Sequence, residues 1–276
     1  MLKAINQWCF KADTPLEQVM AVSSEAGYAA VELNLYASGG LGLTMDTTAA
    51  EAEKVGQLAR RYGLQLRSLS TGLLWQHSLS SPDASVRAQG RQVVTKQLEL
   101  AELLGIDTVL VVPGTVNPET SYDQCYERSQ QELRVLSSEA EKRKTRIGVE
   151  NVWNKFLLSP LEMARYVDEI GSPNVGVYFD VGNVLLYGYP EQWIRILGPR
   201  IFKIHVKDFL TSVGNGHGFV SLLAGDVNWS AVRQALQHIH YMDTLTAELG
   251  IYAADPLQLV YDTSRHLDII LGGKAQ

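Results

Sequence analysis

Short apolar runs rich in β-branched residues recur along the chain. Each is followed by a turn and then by a stretch with helical periodicity. Eight runs read as strands: 3–8, 29–35, 65–70, 108–112, 146–152, 175–180, 202–206 and 244–249. Several are almost continuously apolar, as parallel strands buried on both faces should be. Between and after them, 15–26, 48–62, 83–104, 122–142, 160–170, 190–197, 229–238 and 256–270 read as helices. Proline at a first turn and glycine just past an end punctuate them. Thr14 is the expected N-cap of the first helix, and Gly27, Gly63, Gly105 and Gly171 each close one.

Eight strand-plus-helix units in 276 residues give about 34 residues per unit, the size of one (β/α)8 barrel repeat. No linker or low-complexity stretch interrupts them, so the expected architecture is α/β, one TIM barrel over residues 1–276. An open doubly wound sheet is the alternative, but no G-x-G-x-x-G follows the first strand.

Composition narrows the partners. Lys and Arg total 24 against 30 Asp and Glu, a formal charge of −6, so no nucleic-acid partner is expected. The two cysteines, Cys9 and Cys125, make neither a disulfide scaffold nor a thiolate zinc site and read as inert reduced thiols. The N-terminus has no apolar core of a signal peptide, and TVLVVP at 108–113 is too short to span a bilayer. A cytoplasmic protein with no membrane partner is therefore expected.

In a TIM barrel the chemistry gathers at the C-terminal ends of the strands. Four consecutive strand ends carry a polar residue inside an apolar run: Glu150, Asp180, His205 and Glu248. A carboxylate in such a run is costly unless paired or metal-bound. Three carboxylates and an imidazole suit a divalent ion of intermediate hardness. Mn²⁺ is preferred, with Mg²⁺, Co²⁺, Fe²⁺ or Zn²⁺ as alternatives.

The segments VEN at 149–151, FDVGN at 179–183, IHVKDF at 204–209, GDVNW at 225–229 and AELG at 247–250 resemble the xylose isomerase-like TIM-barrel superfamily. The likeness is to its sugar-phosphate isomerase/epimerase branch, especially the pentulose-phosphate and D-tagatose/D-psicose 3-epimerases. GYAAVELNL at 27–35 is similar to that family's second strand. The resemblance implies one metal held by Glu150, Asp180, His205 and Glu248, with Glu150 and Glu248 doubling as acid and base. It implies ketose epimerisation or isomerisation through a metal-stabilised cis-enediolate. The substrate would be a small sugar or sugar phosphate, and the protein a homodimer or homotetramer. The chain departs from the free-ketohexose enzymes in two places. Asn183 is the nearest candidate where they carry a histidine, and Lys207 and Asp208 follow His205 where they carry an arginine. That argues against free ketohexoses and leaves room for a phosphorylated sugar or another acid.

Further candidates for substrate contact are Lys207, Asn183, Asp208, His77, Trp8 and Trp153, with Trp75 as another wall residue. Glu32 could orient a histidine or a hydroxyl, or form a structural ion pair. The glycine-rich run 214–218 lacks a P-loop ending and reads as a loop over the site. Three competing functions use the same barrel: an inosose-type hydro-lyase, an abasic-site endonuclease and a non-catalytic sugar-binding barrel. The endonuclease branch needs a His-rich trinuclear site, and only one of six histidines lies in this pattern.

Overall fold

A computed structural model describes residues 1–272; the last four residues of the expected 1–276 domain lie outside the described residues. Eight parallel strands form the barrel: β1 (Leu2–Asn6), β2 (Ala30–Tyr36), β3 (Gln65–Thr71), β4 (Thr108–Val111), β5 (Arg146–Glu150), β6 (Val175–Asp180), β7 (Ile201–Val206) and β8 (Thr244–Ala247). Each strand pairs with the next, and β1 pairs with both β2 and β8, which closes the sheet. The eight-stranded TIM barrel expected from the pattern is therefore present.

Among the described residues eight α-helices surround it: α1 (Leu16–Glu25), α2 (Ala49–Arg61), α3 (Ala84–Leu104), α4 (Tyr122–Lys142), α5 (Pro160–Ile170), α6 (Pro190–Leu197), α7 (Trp229–His238) and α8 (Gln258–Leu271). Their ends follow local chemistry. Thr48 and Glu51 form a reciprocal capping box on α2, and Asp83 caps α3. Gly105 and Gly171 end α3 and α5 in the left-handed conformation that glycine adopts without strain. Thr14 does not cap α1. Pro15 occupies that position without a side-chain cap, because its ring offers no acceptor, while its fixed φ suits a helix start.

Four strands end earlier than the sequence pattern indicates, β1, β5 and β8 by two residues and β4 by one. The first ends at Asn6, where its side-chain oxygen accepts from Trp8 N at 2.6 Å and turns the chain into a 3-10 turn, Gln7–Cys9. The last ends at Ala247, so Glu248 is the first residue of the following loop.

Alternation along the strands sorts the barrel interior into levels. On β7 and just beyond it, Lys203, His205 and Lys207 point inward at successive depths. The lowest level is an ionic plug. Fully buried Lys203 lies 3.0 Å from Asp107 and 2.7 Å from Asp243. Arg67 joins Asp243 at 2.8 Å, and Arg146 joins Asp107 at 3.0 Å. The apolar core lies outside the barrel, between the strands and the helices. Among the described residues no helix is long and apolar enough to cross a membrane.

Candidate active site

The upper level of the barrel gathers the four expected ligands. Glu150 ends β5, Asp180 ends β6, His205 is the penultimate residue of β7, and Glu248 follows β8. Each offers one ligand atom, and all four atoms lie within 4.8 Å of one another. His205 Nδ1 is 2.9 Å from Glu248 Oε2 and 3.6 Å from Glu150 Oε1.

Three polar atoms here, Asp180 Oδ2, His205 Nδ1 and Glu248 Oε2, are buried without a well-directed hydrogen bond. Buried polar atoms are nearly always satisfied. Three orphans converging on one point, on an oxygen and imidazole donor set, fit a divalent cation. Lys207 meets two of them by charge: its Nζ is 3.0 Å from Asp180 Oδ2 and 2.7 Å from Glu248 Oε2.

Beneath the ligands a polar relay holds the imidazole. His205 Nε2 lies 2.6 Å from Glu32 Oε1, which also accepts from Asn6 Nδ2 at 2.5 Å. The Tyr178 hydroxyl donates to Glu32 Oε2 and lies 3.1 Å from Ser68 Oγ. With Nε2 engaged by a carboxylate, Nδ1 is the nitrogen turned to the cluster. The contact fits both roles weighed for Glu32, a partner that orients a histidine and a buried ion pair. The register of β2 against β3 slips between Val31 and Leu33, at Glu32 itself.

The charges set opposed protonation preferences. Burial pushes the Glu150 carboxyl up to about 7, with the nearby Glu248 charge adding to it and His205 and Lys207 opposing. Burial alone would raise Glu248 as well, but the Lys207 and His205 charges hold it well below the usual carboxylate range. Burial would likewise raise Glu32, yet the His205 charge and the surrounding donors keep it low. His205 and Lys207 are both raised well above their ordinary values, their carboxylate partners outweighing desolvation.

A cavity of about 780 Å³ opens above the cluster, with Glu248 and Lys207 at its base and Trp8, Phe219, Leu249 and Tyr252 among its walls. The structure thus brings Trp8 and Lys207 to the cavity, as the sequence indicates. Trp153 stands one layer back, packed on Phe219 with ring centroids 5.1 Å apart, and its indole N–H donates to Asn183 O at 2.8 Å. Trp75 is largely exposed on the turn after β3.

Three expected substrate contacts face elsewhere. Asp208 is fully buried and its carboxylate is consumed by the N–H groups of Phe209, Leu223, Val227 and the Trp229 indole. It alternates away from the barrel axis and latches the loop before α7. Gly225 passes so close to it that a Cβ there would lie 2.2 Å from Asp208 Oδ1. Asn183 is buried, donating to Asn151 O at 3.0 Å, and its backbone N–H donates to Asp180 Oδ1. It shapes the turn after β6. His77 is half-buried outside the cavity lining, its carbonyl against Gly90 of α3. The run 214–218 is partly ordered as a 3-10 turn, Gly216–Gly218, and Gly216 lines the cavity.

Both cysteines are buried, and burial raises their thiols to about 12 for Cys9 and about 11 for Cys125. Neither is available as a nucleophile near neutrality. Asn6, Ser68 and Tyr178 are missed by motif reading. Their signal is alternation: Tyr178 stands two residues before Asp180 and so shares its face.

Known proteins carry related chains. SgbU of Escherichia coli (strain K12), named as a candidate L-ribulose-5-phosphate 3-epimerase, is 23% identical over 234 residues, 83% of this chain and 82% of its own. The 3-oxo-isoapionate decarboxylase of Pectobacterium atrosepticum is 24% identical over 194 residues, 68% of this chain and 62% of its own. A crystal structure of D-psicose 3-epimerase in the presence of D-fructose superposes with a TM-score of 0.81 at 18% identity. It covers 99% of this chain and 100% of that one, and shows the shared fold. The model of the xylose isomerase-like TIM barrel family matches residues 20–268, and the chain belongs to that family.

Proposed function

We propose that this protein is a divalent-metal-dependent sugar or sugar-phosphate epimerase of the ketose 3-epimerase type, with Mn²⁺ the metal best matched to the donor set. The observation that carries this reading is the convergence of Glu150, Asp180, His205 and Glu248, one potential ligand atom from each within 4.8 Å of the others, beside a cavity that Glu248 and Lys207 line. Two carboxyls in one cluster divide the roles of acid and base between them. The name of the SgbU relative supports the same reaction class.

Epimerising a carbon beside a ketone requires removal of its proton from one face and return of a proton to the other. Glu248, paired with Lys207 at 2.7 Å on the cavity floor, is one of the two acid–base groups. Glu150, in the same cluster, is the other. The roles exchange in the reverse reaction. A divalent ion held by Glu150, Asp180, His205 and Glu248 would supply Lewis-acid stabilisation of charge developing on the ketone oxygen. Lys207 keeps Glu248 ionised, Glu32 holds the His205 ring in one orientation, and the aromatic wall excludes water.

The test is proton exchange at the carbon beside the ketone. With Mn²⁺ and a panel of pentuloses, pentulose phosphates and ketohexoses, exchange into D₂O is expected on at least one sugar, followed by the C3 epimer. Absence of exchange on all of them, with metal demonstrably bound, refutes the reading. The decarboxylase relative favours a second reading, in which the same site forms the carbanion beside a ketone by loss of CO₂. Release of CO₂ from a 3-oxo acid without sugar exchange would select it.

A further inference from the structure

We propose that Lys207 is a tethered counter-ion of the ligand cluster: its ammonium bridges Asp180 and Glu248, and it gives up Asp180 when a divalent ion is bound. This regulates the metal site and rests on the metal-dependent reading above.

The contest is over particular atoms. Asp180 is fully buried, and its two oxygens have different partners. Oδ1 accepts the backbone N–H of Asn183 at 2.8 Å. The Asn151 side chain holds the Asp180 main chain from both sides, accepting from its N–H and donating to its carbonyl, each at 2.8 Å. The carboxylate is therefore fixed, and Oδ2 is the oxygen left for a ligand. Lys207 Nζ lies 3.0 Å from that oxygen and 2.7 Å from Glu248 Oε2. These two oxygens, with His205 Nδ1, are the buried atoms of the cluster that have no well-directed hydrogen bond. An ammonium and a divalent ion therefore seek the same oxygens.

Lys207 also has a second place to rest. The root of its side chain is fixed, because Gly182 passes so close that a Cβ there would lie 2.6 Å from Lys207 Cβ. The rest is a flexible four-carbon stem ending in a compact charge. That charge borders the cavity and lies 5.9 Å from the Phe219 ring centroid, inside the reach of a cation–π contact. Phe219 is itself held between Trp153 and Phe209, with ring centroids 5.1 Å from each. Glu248 is partly exposed where Asp180 is wholly buried. A turn of the stem away from Asp180 can therefore keep Glu248 and close on the ring.

The tether has two consequences. Three carboxylates gathered in one buried place repel one another unless a cation lies among them. Lys207 supplies that cation in the metal-free protein and keeps the cluster assembled. The same contact opposes metal binding, because the apparent affinity for an ion falls with the fraction of molecules in which Asp180 is free. Lys207 thus sets how strongly an ion must bind before it enters.

Lysine acetylation by acetic anhydride, read by peptide mass spectrometry on the parent with and without Mn²⁺, tests the displacement. Labelling of Lys207 is expected to rise about fivefold or more on loading, while fully buried Lys203 and exposed Lys11 keep their metal-free levels. Titration calorimetry gives the second measure: Lys207→Met should bind Mn²⁺ about tenfold tighter than the parent. Labelling of Lys207 that does not change on loading overturns the proposal, even if Lys207→Met binds tighter, because the ammonium then acts through its field without moving. Affinity in Lys207→Met equal to or weaker than the parent also overturns it. Either result, with Mn²⁺ bound, leaves the metal-dependent reading standing. If neither parent nor variant binds Mn²⁺, that reading falls and this proposal falls with it.

Discussion

Replacing Glu32 by glutamine removes a charge from beneath the metal cluster while keeping shape. In the parent, Asn6 Nδ2 at 2.5 Å, His205 Nε2 at 2.6 Å and the Tyr178 hydroxyl all converge on this carboxylate. Glutamine offers one acceptor oxygen and one amide NH₂. The NH₂ must face either the tyrosine hydroxyl or the Asn6–His205 pair, so at least one charge-assisted bond is lost. A hydrogen bond to a charged group contributes about 1.5–3 kcal/mol, so the metal-free variant should melt roughly 3–10 °C lower. The diagnostic effect is on the metal. Loss of the group that orients a ligating histidine typically weakens metal binding by about 10–100-fold. Titration calorimetry with Mn²⁺ measures this, and imidazole nitrogen NMR of the metal-free variant should show that His205 no longer keeps a single proton arrangement. A variant that melts lower yet binds Mn²⁺ within about twofold of the parent refutes the orienting role and leaves Glu32 as a packing residue.

Four further outcomes follow from the same geometry. Glu150→Gln and Glu248→Gln should each lower kcat by about 10²–10⁴-fold with the circular dichroism spectrum unchanged; retained turnover in either would exclude it as acid or base. Lys207→Met removes the cation that holds Glu248 low, so the Glu248 carboxyl should titrate at higher pH in carbon NMR of the metal-free protein; an unmoved titration contradicts the assignment. Lys203→Met breaks a fully buried ion pair at the opposite end of the barrel, softened by Arg67 and Arg146. It should cost about 2–4 kcal/mol in urea unfolding while leaving Mn²⁺ affinity intact. Asp243 adds a pH signature. Burial would raise it, but hydrogen bonds from Arg67 and Lys203 hold it below its usual value, so its stabilisation is full above an unfolded pKa of about 3.9. Stability should fall as pH drops through that region, and less steeply in Lys203→Met.

How much of this a sequence reveals depends on which physical rule governs each residue. The barrel was legible because its strands are buried on both faces and its helices are capped by local chemistry, both of which leave marks within a few residues. The four residues of the cluster were legible for a related reason: a polar or charged group inside an apolar run is costly, and four of them on consecutive strand ends share one place. Asp208 shows where the reasoning stops. It interrupts an apolar stretch just as Asp180 does, but it is one residue out of phase with His205 and Lys207, so the same cost is met by backbone N–H groups from the far end of its own loop. Alternation could have separated the two, since Lys203, His205 and Lys207 differ by two and Asp208 does not. Depth is what alternation alone does not give. Lys203 and Lys207 share a face and a residue type, yet one plugs the floor with Asp107 and Asp243 while the other sits among the ligands with Asp180 and Glu248. Their different partners come from strands far apart in sequence and from the stagger of a closed barrel. The acidic groups that pair with Lys207 are the ones that would meet a metal, so the ammonium and a divalent ion compete for the same two carboxylates.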